Sequence, residues 1–360
     1  MSAISAVAFD PLRDPLRLRR HLILGGLVAL LVVACLAAST IGALDIPLSH
    51  VVAALAGRAG WDLGVPVAPF EDAALFSIRL PRVALGLGVG MTLGVAGAAL
   101  QALFRNPLAD PGLIGVSGGA ACGAVGWIVL GASAPAWANG AIAMPLAAFA
   151  AGLAATIGVY LIGRSRSRTD IATLLLAGLA MNALTTAIVG YLTFLGTDAQ
   201  LRALTFWLLG GLGGATWGQI WPVLLLMAGA LSGFAVLARG YDVLALGESA
   251  AGHLGLRVEI LRRATIVLVA LGVGAGVALT GIIGFVGLAA PHLVRLMGGA
   301  AHRFVLPAAA LMGALLVVSA DLFARIAVMP AELPVGVVTS ALGAPFFIWL
   351  LRRRLGETAP

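Results

Sequence analysis

The chain has 360 residues, of which 61% are hydrophobic and only 10% are charged, and its formal net charge is +7. Soluble globular domains carry about 25% charged residues, so this composition excludes a soluble fold and indicates an integral membrane protein. The basic residues stand at the ends of apolar runs and form no continuous patch, which excludes nucleic-acid binding.

Apolar runs long enough to cross a hydrocarbon core of about 30 Å as helices recur along the chain. We therefore predict an all-α integral membrane protein with about ten transmembrane helices, the eighth of them short. The 48 glycines favour close helix packing, because small side chains let backbones approach in lipid. The predicted spans are 22–43, 82–103, 113–131, 141–163, 171–195, 217–238, 262–281, 285–299, 304–324 and 334–351.

The segments outside these spans divide the chain into a leader, one transmembrane domain and a tail. Residues 1–21 form a basic N-terminal leader, 22–354 the transmembrane domain and 355–360 the C-terminal tail. The first apolar run has about 20 residues, which suits a span better than a cleaved signal peptide. We predict an external surface helix within 44–78, at "PLSHVVAALAG", and another short helix over 199–210.

Arginine placement predicts the topology, because loops rich in basic residues stay in the cytoplasm. All 22 basic residues are arginines, and with ten spans and a cytoplasmic N-terminus 17 of them are cytoplasmic. Both termini are then cytoplasmic. The five external exceptions are Arg58, Arg79, Arg82, Arg202 and Arg325.

The stretch "RNPLADPGLIGVSGG" (105–119) joins the second and third spans. Its prolines cannot continue a helix, Asn and Asp favour turns, and Gly permits close approach. We predict a tight cytoplasmic turn that borders a transport path or gate, with an ordinary hairpin turn as the alternative. A second Gly/Pro junction at 280–295 suggests an inverted repeat of spans two to five and seven to ten. The junction residues assigned to the gate or path are Asn106, Pro107, Asp110, Pro111 and Gly112.

Three features resemble reactive sites without the context that such sites require. "GVSGG" (115–119) matches the serine-hydrolase pattern around Ser117, but an all-helical chain lacks the strand-to-helix elbow, so an intramembrane hydrolase is a remote alternative. Cys35 and Cys122 lie 87 positions apart in apolar runs and are expected to pack. His292 stands alone beside an arginine and is expected to pack or cap. We therefore predict no catalytic residue and no metal ligand.

The longest cytoplasmic loop, 238–263, alternates apolar and charged residues. This pattern favours short amphipathic helices that present a face to a soluble partner, with a solvated connector as the alternative. The chain contains no Lys and therefore no phosphate-binding G-x-x-x-x-G-K-[ST] loop. Any ATP hydrolysis must be performed by another protein.

Four long motifs follow one another along the chain. They are "RLPRVALGLGVGMTLGVAGAALQALFRNPLADPGLIGVSGGA" (79–120), "LALGESAAGHLGL" (244–256), "GIIGFVGLAAPHLVR" (281–295) and "AELPVGVVTSALGAPFFIWLL" (331–351). Together they resemble the permease subunits of bacterial ATP-binding cassette importers (type II) for cobalamin, haem and ferric siderophores. The resemblance covers about residues 20 to 354 in the family's order.

The resemblance implies a homodimer in the bacterial inner membrane, with its path at the dimer interface. Two cytoplasmic ATPase subunits, which bind the ATP and Mg²⁺, and a periplasmic substrate-binding protein complete the importer. This chain would be a transport subunit without a cofactor of its own. It would carry haem or a ferric siderophore by alternating access, with cobalamin as the alternative cargo. A proton-coupled exporter is disfavoured because the spans contain few acids apart from Asp321.

The resemblance also implies roles for individual residues. The external Arg79, Arg82 and Arg325 would receive carboxylates of the binding protein, since a guanidinium pairs bidentately with a carboxylate; the alternative is that they extend to the interface and only anchor it. Thr169 and Thr173 would belong to the inner gate. The coupling helices that contact the ATPase would include Leu246, Gly247, Glu248, Ala251, Leu254 and Gly255.

Overall fold

The computed structural model describes residues 15–131, 140–165 and 168–357. The first 14 residues of the predicted leader and the last three of the tail lie outside this part. The described chain is helical apart from turns and one hairpin of two-residue strands, β1 (Arg164–Ser165) and β2 (Arg168–Thr169). The helices are α1 (Pro15–Thr40), α2 (Leu48–Arg58), α3 (Pro69–Ala74), α4 (Leu80–Leu103), α5 (Val116–Leu130), α6 (Ala143–Gly163), α7 (Ile171–Leu195), α8 (Asp198–Leu209), α9 (Trp217–Leu244), α10 (Glu248–His253), α11 (Val258–Thr280), α12 (Val286–Gly298), α13 (His302–Ile326) and α14 (Val335–Glu357).

Ten of these helices correspond in order to the ten predicted spans, which confirms the all-helical membrane fold. Seven are long and apolar enough to cross a bilayer by length and composition. The other three are α5, the apolar part of α14 (Val335–Ile348) and α12, which has only 13 residues. The predicted helices outside the spans are present as α2 and α8.

Helix α4 forms the centre of the bundle, and α9, α11, α12 and α13 pack around it. It runs antiparallel to α13 at very short range. A Cβ on Gly94 would lie 2.1 Å from the carbonyl oxygen of Ala309 in α13. Helix α12 is equally close, since a Cβ on Gly97 would lie 1.9 Å from the carbonyl oxygen of Gly287. Only glycine permits this backbone-to-backbone contact, which explains why the core helix is rich in glycine.

Helix α12 is short because irregular backbone precedes it. A helix of 13 residues spans only about 20 Å, and residues 281–285 supply the remaining depth in a non-helical conformation. This segment packs against protein: a Cβ on Gly210 would lie 2.2 Å from the carbonyl oxygen of Ile282, and a Cβ on Gly281 would lie 1.9 Å from that of Trp207. Non-helical backbone at membrane depth requires such protein contacts, because lipid offers no hydrogen bonds.

Helix boundaries differ from the predicted spans mainly at the polar ends. Helix α1 begins at Pro15, inside the predicted leader, and α14 continues to Glu357. Helix α9 extends six residues beyond the predicted end of span six, to Leu244. Arginines that leave the hydrocarbon can remain helical, so the end of an apolar run does not mark the end of its helix.

Candidate functional site

The three arginines predicted to receive carboxylates lie together at one end of the bundle, buried among polar groups. Arg82 of α4 forms an ion pair with Asp321 of α13: its Nε donates to Oδ1 (2.8 Å) and Oδ2 (3.1 Å), and its Nη2 lies 2.8 Å from Oδ1. Arg325 Nε lies 3.3 Å from the other carboxylate oxygen of Asp321. One buried carboxylate therefore holds two guanidinium groups, and it stabilises the contact between α4 and α13.

Arg79 and Arg325 also cap the C-terminal end of α1. Arg79 Nη1 donates to the carbonyl oxygens of Ser39 (2.7 Å) and Thr40 (2.8 Å), and Arg325 Nη2 donates to that of Ala38 (3.0 Å). The last carbonyl groups of a helix lack intrahelical partners and carry partial negative charge, so they stabilise a cation. These two arginines therefore attach α1 to the bundle.

Arg82 is the member of the cluster that reaches the rim. Its Nη1 donates to Oε2 of Glu332 at 2.9 Å, and the Glu332 side chain is 50% exposed whereas that of Asp321 is 3% exposed. The cluster thus contains three arginines and two carboxylates, which leaves an excess of one positive charge. The same guanidinium has one buried partner and one partner that solvent can reach.

A large cavity opens beside Arg82 and Glu332. It has a volume of about 680 Å³, and its walls are formed by the end of α8, including Phe206 and Trp207, and by the irregular backbone of residues 210–213. Gly210, Gly211 and Gly213 contribute no side chains to this wall.

The predicted junction forms a compact turn at the opposite end of α4. Asn106 Oδ1 accepts the N–H of Leu108 and Asp110 Oδ1 accepts that of Gly112, both at 2.9 Å. A 3₁₀ turn over Pro111–Ile114 follows and ends at Gly115, whose φ of 81° permits the new helix to start. Burial raises the pKa of the Asp110 carboxyl above its ordinary value. The predicted turn before a new span is therefore confirmed.

The junction packs against helices α7 and α12. Asn182 of α7 donates its Nδ2 to the carbonyl oxygen of Gly112 at 3.0 Å. A Cβ on Gly287, in the first turn of α12, would lie 2.9 Å from Pro111. Pro107 and Phe285 line the same small cavity. The turn is thus held by α7 and α12 as well as by its own polar groups.

The two predicted gate threonines lie at the start of α7. Thr173 donates both its backbone N–H (2.8 Å) and its hydroxyl (2.5 Å) to Asp170, the residue that caps the helix. These bonds lower the pKa of the Asp170 carboxyl. Thr169 pairs with Arg164 across the small hairpin. The junction contacts α7 at Asn182, nine residues and about 13 Å farther along the helix.

The predicted coupling residues surround the short helix α10. Gly247 and Gly255 border it with φ values of 111° and 82°, which non-glycine residues rarely adopt. Leu246 and Leu254 are 66% and 65% exposed, whereas Ala251 is fully buried. Glu248 forms an ion pair with Arg262 of α11. The segment therefore presents two leucines outward from an anchored turn, which is the geometry of a docking surface.

The arginine cluster and this coupling segment lie at opposite ends of the bundle. His302, the first residue of α13, donates its backbone N–H (2.6 Å) and its Nδ1–H (2.9 Å) to Oδ1 of Asp242, which lies near the end of α9, immediately before the coupling segment. Asp321 lies 19 residues farther along the same helix, a distance of about 28 Å.

Sequence reasoning missed three partners in these sites. Predicting Asp321 and Glu332 as the ion-pair partners of Arg82 requires knowledge of which helices touch. The spacing of four residues between Asp321 and Arg325 was nevertheless a visible signal that these two side chains could pair. The third is a buried bond between Gln101 and Arg295, in which Gln101 also donates to the carbonyl oxygen of Gly287 at 3.2 Å. His292 packs edge-on against Phe346, with ring centroids 6.0 Å apart.

Comparisons with known proteins agree with these features. The FecCD transport family matches residues 30–353. The hemin transport system permease protein of Yersinia pestis is 40% identical over 338 residues, covering 94% of this chain and 97% of that protein. The vitamin B12 import system permease protein of Klebsiella pneumoniae is 42% identical over 284 residues, covering 79% and 83%.

The fold has a solved counterpart as well. A metal-chelate type ABC transporter in an inward-facing conformation is similar with a TM-score of 0.77 and 30% identity, over 92% of this chain and 99% of that chain. The family match over residues 30–353 includes the segments that contain the arginine cluster, the junction and the coupling helix. By sequence and by fold, the chain belongs to the FecCD transport family.

Proposed function

We propose that this chain is the permease subunit of an ATP-binding cassette importer that moves haem or a ferric siderophore from the periplasm to the cytoplasm by alternating access. The observation that carries the proposal is the 40% identity with a hemin permease over 97% of its length. The chain is a transport subunit and not itself an enzyme. ATP hydrolysis belongs to a separate partner subunit in the bacterial inner membrane complex.

Cobalamin is the second candidate cargo, and it is supported by the 42% identity with a vitamin B12 permease. Among the described residues, no three His, Cys, Asp or Glu side chains are grouped so that they could hold a metal ion. The cavity wall is aromatic and glycine-rich. We therefore expect the whole chelate to pass along this wall without coordination of its metal by the permease. Selectivity then rests mostly with the binding protein.

A second copy of the chain would close the cavity beside Arg82. The cavity is open on one side, and a second copy placed there would enclose it as a path. Helix α7, next to α8, presents large exposed apolar residues such as Phe194 (84%). A homodimer with its path at this interface satisfies both features, with Thr169, Thr173 and the 106–112 junction forming gate elements on the cytoplasmic side.

The periplasmic binding protein would dock at the arginine cluster through its own carboxylates. Arg82 is the member best placed to receive one, because its present rim partner, Glu332, is half exposed and can be displaced. Arg79 and Arg325 contribute the remaining positive charge while capping α1. Two cytoplasmic ATPase subunits would contact the opposite end, at Leu246, Glu248 and Leu254, with Gly247, Ala251 and Gly255 shaping that surface.

Reconstitution tests the proposal directly. The permease, its ATPase and its binding protein are placed in liposomes, and uptake of haem, several ferric siderophores and cobalamin is compared with and without ATP. We expect ATP-dependent accumulation of haem or one siderophore. Preference for cobalamin would select the alternative cargo, and transport by the permease alone without nucleotide would contradict the importer assignment.

Docking is tested by the affinity of the binding protein for permease variants. Arg79→Glu with Arg82→Glu is expected to abolish binding, whereas Arg58→Glu, which reverses one arginine charge at an exposed position outside the cluster, is expected to preserve it. Glu332→Gln removes the internal competitor and should tighten binding by up to about fivefold. Unchanged affinity in both cluster variants would reject this docking site.

A further inference from the structure

A groove on the outer surface of the bundle lies away from the sites described above. It opens between α9 and α13, with Val95 of α4 in its floor, and it has a volume of about 450 Å³. This is within the range of roughly 300–1,000 Å³ that small-molecule sites occupy. Arg239 and Arg303 stand at its mouth. Both lie near the Asp242–His302 contact, at the same end of the bundle as the coupling segment.

The groove combines a charged mouth with an apolar interior. Beyond the arginines its walls are formed by Leu231 and Ala235 of α9 and by Pro307 and Ala310 of α13. Leu231 lies eight residues from Arg239, so the apolar part extends about 12 Å along the helix from the charged end. The groove therefore runs from the membrane–water boundary into the hydrocarbon layer.

The charges of the two arginines at the mouth of the groove are free to pair with a ligand. Both are exposed, and within the part of the chain that the structure describes neither makes a hydrogen bond or an ion pair. Neighbouring arginines at this end differ: Arg20 donates to the carbonyl oxygen of Gly298 (3.0 Å) and lies over the ring of Phe304. Arg295 is bonded to Gln101. Two unpaired guanidinium groups above an apolar groove are complementary to an anion that carries a hydrocarbon chain.

We propose that this groove binds an anionic phospholipid of the cytoplasmic leaflet. Arg239 and Arg303 hold the headgroup phosphate, and one acyl chain lies along the apolar walls. Basic pockets between transmembrane helices on the cytoplasmic side of a membrane are known to bind anionic lipid headgroups. A second copy of the chain is a poor occupant, because it would bring four unpaired arginines together. A soluble partner is also disfavoured, since the interior of the groove lies within the hydrocarbon layer.

Native mass spectrometry of the purified permease tests the proposal by titration with phosphatidylglycerol and with phosphatidylcholine of the same acyl chains. We expect selective retention of phosphatidylglycerol. The double variant Arg239→Gln, Arg303→Gln should weaken that binding about 30-fold, since each basic residue near an anionic membrane surface contributes about one factor of five. The matched control, Arg105→Gln with Arg257→Gln, removes two exposed cytoplasmic charges elsewhere and should leave binding unchanged.

A second variant separates a lipid site from a simple anion site. Ala235→Trp keeps both arginines and fills the exposed apolar wall, so it should abolish phosphatidylglycerol retention. Inorganic phosphate at millimolar concentration should not compete. Equal binding of the two lipids, full retention in the arginine double variant, or displacement by phosphate alone would each overturn the proposal. A change of oligomeric state in the Ala235→Trp variant would instead indicate that a second copy covers the groove.

Discussion

Arg82 provides a sharp test of how this fold uses charge inside the membrane. It has two carboxylate partners at nearly equal distance, 2.8 Å to Asp321 and 2.9 Å to Glu332, whose side chains are 3% and 50% exposed. Asp321→Asn and Glu332→Gln each remove one negative charge from the same guanidinium. The deleted charges differ in burial and in the number of arginines they contact, since Asp321 also pairs with Arg325.

The two variants are expected to differ greatly in stability. Removing one member of a buried ion pair costs about 3–5 kcal/mol, because the remaining charges lose their compensation. Asp321→Asn leaves both Arg82 and Arg325 without their shared buried carboxylate. A partly exposed pair contributes about 0–1 kcal/mol, because solvent screens it. Asp321→Asn should therefore destabilise the protein several times more than Glu332→Gln.

Thermal unfolding of the detergent-solubilised permease measures this difference. At roughly 2 °C per kcal/mol for a large domain, Asp321→Asn should lower Tm by about 6–10 °C. Glu332→Gln should lower it by about 2 °C or less. Comparable shifts for the two variants, or a larger shift for Glu332→Gln, would refute the argument that burial sets the strength of this cluster.

Three further predictions concern packing, coupling and the inner polar contact. Gly97→Ala should sharply reduce the yield of folded, monodisperse protein in size-exclusion chromatography, because its Cβ would meet a carbonyl oxygen at 1.9 Å, whereas Gly25→Ala, with no atom within 4 Å, should have no effect. Leu254→Asp should abolish stimulation of the ATPase without lowering Tm, while the buried Ala251→Asp should lower Tm. Gln101→Leu should cost about 1–3 kcal/mol by leaving the half-buried guanidinium of Arg295 without its partner, measured as a lower Tm.

The spans could be predicted from the sequence because the bilayer imposes a length and a polarity on each of them. The coupling segment was equally accessible, since Gly247, Gly255 and the intervening amphipathic residues form a local pattern. The structure around helix α12 was less accessible to prediction from the sequence. Its 13 helical residues suffice only because residues 281–285 pack against Gly210 and Gly336, both of which lie close to the carbonyl oxygen of Ile282, and no local signal indicates these contacts.

The environment of the arginines depends on contacts between distant segments. Arg82 and Asp321 are separated by 239 positions, and their pairing follows from the antiparallel packing of α4 and α13 on glycine. The topology rule identified Arg79, Arg82 and Arg325 as exceptional charges but gave no information on burial. Their docking role remains a prediction, and the structure adds to it the capping of α1 by Arg79 and Arg325.

The central claim is that the arginine cluster faces the periplasm while the coupling segment faces the cytoplasm. With Cys35 and Cys122 replaced by Ala, single cysteines at the exposed positions Val328 and Leu254 report the two ends. A membrane-impermeant maleimide applied to right-side-out cytoplasmic-membrane vesicles should label Val328→Cys and should reach Leu254→Cys only after the membrane is permeabilised. Labelling of both positions from the same side would contradict the account.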